Sequence, residues 1–69
     1  MPLTPDERKM RLGHGGLALV ARRTKRTEGH VSQVNRGLRP DKKVERAITR
    51  LIIEKHPDIS PDQVWSVAS

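Results

Sequence analysis

Apolar side chains recur at helical intervals along this chain, and each run ends at a residue that starts or stops a helix. The longest stripe is Val44, Ala47, Ile48, Leu51 and Ile52, which predicts a helix over about Asp41–His56. Ile53 lies off the stripe and is expected against the last helix or a partner. Leu17, Val20 and Ala21 share one face of a shorter helix, about Leu17–Thr24. Val31 and Val34 mark the inner face of another, about Glu28–Arg36, and Leu38 beyond it is expected to tuck into the core. No run alternates long enough for a strand, so the pattern predicts an all-α chain of four to five short helices forming one domain over 1–69.

The boundaries are written in cap chemistry. Thr4-Pro5-Asp6-Glu7 and Ser60-Pro61-Asp62-Gln63 each offer a hydroxyl N-cap, a proline at the first helical position and a side chain that can reach back. They predict a first helix over about Pro5–Leu12 and a last one over about Pro61–Val67. Gly13-His14-Gly15-Gly16 breaks the first helix, and Thr27 is a suitable N-cap for the third. Gly37 and Pro40 stop the third helix, and Pro57 ends the long one.

Composition changes the picture through the placement of charge. The net charge is +6, from 14 Lys+Arg against 8 Asp+Glu. Arg22, Arg23, Lys25, Arg26, Arg36, Arg39, Lys42 and Lys43 face only Glu28 and Asp41 in their segment, which therefore carries the whole excess. Clustered positive charge of this kind is the footprint of a nucleic-acid binder. Hydrophobic residues make up 33% and charged residues 32%, so the core is thin. There is no cysteine, which excludes disulfides and thiolate metal sites and fits a reducing compartment. Met1–Leu12 has no apolar stretch of the kind a signal peptide needs, and no apolar run approaches a membrane-spanning length.

The helices Leu17–Thr24 and Glu28–Arg36 with their short connection have the spacing of a helix-turn-helix. The stretch VARRTKRTEGHVSQVNRG resembles the helix-turn-helix of the lambda-repressor/Cro family of DNA-binding proteins and, less closely, the LacI-type headpiece. The marks are Ala21 within the first helix, Thr27 before the second, Val31-Ser32-Gln33-Val34, and Asn35-Arg36-Gly37. Two positions depart from the family pattern. Lys25 stands where a turn glycine is usual, so either Lys25 takes a positive φ or the turn is shaped differently. Arg26 stands where an apolar residue is usual, giving up a core contact for a phosphate contact.

The resemblance implies a lambda-repressor-like domain whose second motif helix enters the major groove by its N-terminal residues. Glu28, Gly29, Ser32 and Gln33 would then face bases. Gln33 suits a bidentate contact to adenine, and Glu28 can accept from the cytosine amino group. Glu28 at a helix start is also explained by the helix dipole alone. Gly29 would let the helix tip approach closely. Arg22, Arg23, Lys25, Arg26, Thr27, Asn35, Arg36, Arg39, Lys42 and Lys43 are the candidate phosphate contacts, with the start of the long helix near Asp41 as a further donor.

The expected function is sequence-specific binding of double-stranded DNA by a small cytoplasmic regulator of bacterial or phage type, repressor rather than activator. Such a regulator would be nucleoid-associated or work inside an infected host cell. Two alternatives use the same residues. One is a nonspecific or architectural nucleic-acid binder; the other is an interaction module that contacts RNA polymerase or another regulator. Trp65, with Val64 and Ile59, is expected to close the core, while Ile53, Val64 and Trp65 are also candidates for a homodimer interface. No cofactor, metal, small-molecule ligand or membrane partner is expected. His14, His30 and His56 do not pair at ligand spacing, and no acid–base pair with a pocket suggests an enzyme.

Overall fold

The structure, a computed structural model, describes residues 3–65, and these form five helices with no strand among them. They are α1 (Pro5–Leu12), α2 (Gly16–Thr24), α3 (Glu28–Asn35), α4 (Lys42–Lys55) and α5 (Pro61–Val64). The end of the expected last helix, at 66–67, lies outside the described residues.

Local chemistry starts and stops these helices largely as the caps predict. The Thr4 hydroxyl accepts from the Glu7 amide at 3.1 Å, and the Thr4 amide donates to Glu7 Oε1 at 3.0 Å. The Ser60 amide donates to Gln63 Oε1 at 2.9 Å. Thr27 Oγ1 accepts from the His30 amide at 3.1 Å, and Asp41 Oδ1 from the Val44 amide at 3.3 Å.

The connection between α2 and α3 settles the question raised by Lys25. Lys25 takes the left-handed conformation, φ 59° and ψ 39°. Its amide donates to the Arg22 carbonyl, and the Arg26 amide reaches back to the Ala21 carbonyl at 2.9 Å. That pair of bonds is the glycine-type helix ending, made here by a residue with a Cβ. The same bonding ends α3, where Gly37 at φ 78° lets the Leu38 amide reach the Gln33 carbonyl. That turn throws Leu38 outward. Leu38 is 72% exposed, so it does not tuck into the core as expected.

Leu12, Val20, Ala21, Val31, Val34, Val44, Ile48, Leu51, Ile52 and Val64 form the core. α4 is its axis: α1, α2, α3 and α5 all pack on it. Ala47, expected on the inner stripe, is only partly buried at its edge. Gly16 lies directly against α1, and a Cβ there would come within 2.6 Å of Leu12 Cβ. The radius of gyration is 10.7 Å, close to the ~11 Å expected for a folded chain of this length.

One core residue is a cation. Arg8 is 5% exposed. Its Nε donates to Asn35 Oδ1 at 2.9 Å and its guanidinium to the carbonyls of Leu3, at 2.8 Å, and Val64, at 3.0 Å. It also donates to the Asn35 carbonyl. Its other face lies 4.0 Å from the Trp65 ring centroid, a cation–π contact. Burial pulls the Arg8 pKa below the usual arginine value, and nearby Glu45 opposes that shift. This side chain ties α1 to the end of α3 and to α5.

Candidate nucleic-acid interface

Burial of Val31 and Val34 fixes which way α3 faces. Positions 28, 29, 32, 33 and 36 follow at helical intervals on the opposite side. Glu28, Gly29, Gln33 and Arg36 are exposed there, and Ser32 is partly buried. The face thus offers a carboxylate, a hydroxyl, an amide and one cation. Gly29 has open space where a Cβ would sit, so nothing within the fold requires glycine at that position.

Glu28 also borders a hollow of about 660 Å³ with Lys9, His14, Leu17 and Ala18. This places the tip of α3 beside the start of α2 and the end of α1. Lys9 and His14 were not among the sequence candidates; nothing in their local spacing links them to α3.

The basic residues divide into tied and free. Arg22, Lys25, Arg36, Lys42 and Lys43 are exposed, with no acidic partner within ion-pair distance among the described residues. Arg23 sits 4.0 Å from Glu54. Arg26 donates from Nε to Asp41 Oδ2 at 3.2 Å. Arg39 approaches His30 Nδ1 at 3.5 Å. Thr27 is exposed, and its hydroxyl proton stays available while its oxygen caps α3.

Asn35 is not at the surface. It is 4% exposed, with Oδ1 taken by Arg8 and Nδ2 donating to the Pro5 carbonyl at 3.1 Å. Its amide bonds within the fold and is buried, so it presents no donor at the surface for a phosphate. Val64 is fully buried in the core and cannot line a dimer interface. Ile53 and Trp65 are partly buried along another groove on α4, where Trp65 Nε1 donates to Thr49 Oγ1 at 2.7 Å.

Asp41 joins three elements. It caps α4, accepts from His30 Nε2 on α3 at 2.7 Å, and pairs with Arg26 in the turn. The His30 bond chiefly, then the Val44 amide and Arg26, hold the Asp41 pKa down to about 2, from an ordinary 3.8. The carboxylate takes the Val44 amide and puts a negative charge at the start of α4, which disfavours a phosphate there. Because the folded pKa is the lower one, Asp41 contributes stability that is intact above about pH 4 and lost as pH falls through about 2. Acid titration followed by circular dichroism should show this limb in wild type, and Asp41→Asn, which can still cap, should flatten it. An unchanged limb in that variant would assign acid unfolding to other carboxylates.

No protein-family model matches this chain, and no curated protein or solved structure matches it either.

Proposed function

We propose that the chain binds double-stranded DNA sequence-specifically, as a lambda-repressor/Cro-like helix-turn-helix made of α2, the Lys25–Thr27 turn and α3. Its role in this reading is that of a small transcriptional regulator that represses by occupying its site. The observation that carries the proposal is the outward face of α3. Two buried valines fix its direction, Glu28 and Gln33 are exposed on it with Ser32 partly buried between them, and free cations lie before and after it.

In this reading α3 enters the major groove by its first turn. Gln33 contacts adenine through its amide, Glu28 accepts from a cytosine amino group, and Ser32 takes either donor or acceptor. Glu28 repels phosphate, so it penalises registers that put backbone where a base belongs. Arg22, Lys25, Thr27, Arg36, Lys42 and Lys43 supply the sequence-independent grip on phosphate.

The test is selection from a random duplex library at ~150 mM salt, near physiological ionic strength. An enriched motif is expected, with one position relaxing in Gln33→Ala and another in Glu28→Ala, each costing about 1–3 kcal/mol against the preferred base. Two spaced half-sites would indicate a homodimer, for which Ile53 and Trp65 are the remaining candidates. Absence of any motif would refute base reading.

Gly29→Ala separates a steric role from a conformational one. The methyl group meets open space within the fold, so α3 should gain about 0.5–1 kcal/mol in thermal unfolding. Affinity for the selected duplex should nevertheless fall on the order of tenfold, the equivalent of about 1.4 kcal/mol of misfit at the groove. Unchanged affinity would remove close approach as the reason for glycine.

A further inference from the structure

Arg46 and Arg50 lie outside the basic segment Arg22–Lys43, in a stretch, 44–69, that has three basic residues against four acidic ones. Folding brings them beside it. Arg23, Thr24, Lys43, Arg46, Ala47 and Arg50 line one groove of about 720 Å³ between the end of α2 and the flank of α4. Its lining carries cations from both helices and no acid.

The spacing suits a polyanion. Lys43, Arg46 and Arg50 follow at helical intervals down one flank of α4, covering about 10 Å at 1.5 Å per residue. A DNA strand carries its phosphates in a regular row, and a row of cations down one flank can follow it. At the groove's rim Arg23 is only loosely paired to Glu54: the two side chains are 47% and 52% exposed. A phosphate can replace such a partner, because exposed pairs are weak.

The groove opens away from the tip of α3. Glu28 shares its hollow with Leu17 and Ala18 at the start of α2, whereas the groove takes Arg23 and Thr24 at its end. The groove and that hollow have no lining residue in common. A duplex seated on the first turn of α3 draws on Lys43, and the groove keeps Arg23, Arg46 and Arg50 for a second strand.

The chemistry favours phosphodiester over an acidic protein segment. Arginine dominates the cations, and its planar fork matches phosphate oxygens in pairs. Apart from Ala47 the lining has no apolar residue, so the groove lacks a pocket for the anchors an acidic amphipathic helix would insert. The neighbouring groove on α4 shares Arg46 and Arg50, but there they stand beside Glu45 and Glu54.

We propose that the α2–α4 groove is a second phosphodiester-binding track, holding DNA backbone separate from the duplex engaged by α3. One chain then holds two duplex segments. The track does not depend on base reading and would serve equally if α3 bound DNA without preference.

The full chain is mixed with donor- and acceptor-labelled duplexes of about 16 bp, one and a half helical turns. Wild type should give energy transfer and, by native mass spectrometry, complexes of one chain with two duplexes. Arg46→Gln/Arg50→Gln changes exposed side chains only, so its circular dichroism should match wild type. In that variant energy transfer should fall to background, while binding of the first duplex changes less than about threefold. Transfer that persists in the double variant, or complexes of one chain with one duplex only, would overturn the proposal. A polyglutamate peptide that binds the groove more tightly than duplex would overturn it too, by assigning the groove to an acidic protein. A wild type that bridges duplexes yet selects no motif would leave the track standing and remove base reading alone.

Discussion

Replacing Arg8 by alanine is expected to lower the unfolding free energy by about 3–5 kcal/mol, because several buried acceptors lose their donor at about 1–3 kcal/mol each. A chain of 69 residues has a total of only about 3–10 kcal/mol to lose, at 0.05–0.15 kcal/mol per residue. The cost arises on the acceptor side. Without the guanidinium, Asn35 Oδ1 and the carbonyls of Asn35 and Val64 lose their buried donor, and water cannot readily reach them. Trp65 also loses the cation above its ring. Arg8→Lys should rescue little, because one ammonium cannot span acceptors arranged around a planar fork. Urea unfolding followed by circular dichroism measures the loss, and Asn35→Ala completes a double-mutant cycle with an expected coupling above about 1 kcal/mol. A loss below about 1 kcal/mol for Arg8→Ala would mean that the acceptors find water, and that the apolar residues alone hold α5 in place.

The contrast between Arg8 and Lys25 shows where sequence reasoning works. Thr4, Thr27, Asp41 and Gly37 act on amides within a few residues, so a short stretch of chain contains everything that decides the helix ends. Lys25 belongs with them in part: its place in the turn poses a choice between a positive φ and another turn shape, and the fold takes the first, at φ 59°. Arg8 is different. Its partners lie 27 and 56 residues away, and a basic residue in the first helix reads locally as surface. Asn35 is hidden for the same reason: its amide looks free for phosphate until Arg8 is placed beside it. Leu38 failed for the opposite reason. Its apolarity suggested burial, but the hydrogen bonding of the Gly37 turn fixes its direction first. At the candidate interface, the outward set Glu28, Gly29, Ser32 and Gln33 could be read from Val31 and Val34. The tie of Arg26 and His30 to Asp41, and the groove built by Arg23 with Arg46 and Arg50, required three dimensions.

Those ties set the second large expectation: affinity for a selected duplex should fall roughly 500-fold between 50 and 200 mM salt. The figure follows from which cations are free. Arg22, Lys25, Arg36, Lys42 and Lys43 can each neutralise one phosphate, and at about 0.9 counterion released per contact the log–log slope is about −4.5. Arg26 and Arg39 are held by Asp41 and His30, and Arg23 lines the α2–α4 groove beside Glu54, so these three are not counted. Fluorescence anisotropy across a salt series measures the slope. A value shallower than about −2 would remove phosphate contact as the source of affinity, whereas one near −7 would mean that the tied arginines abandon their partners on binding. Asp41→Asn tests the same point from the protein side. It keeps the α4 cap but removes the charge opposing Arg26, so the slope should steepen by about 0.9. Asp41 would then be the residue that limits non-selective grip: by keeping Arg26 and His30 turned toward α4, it leaves discrimination to Glu28 and Gln33 rather than to charge. An unchanged slope in Asp41→Asn would place Arg26 beyond reach of the backbone and leave Asp41 as a purely structural cap.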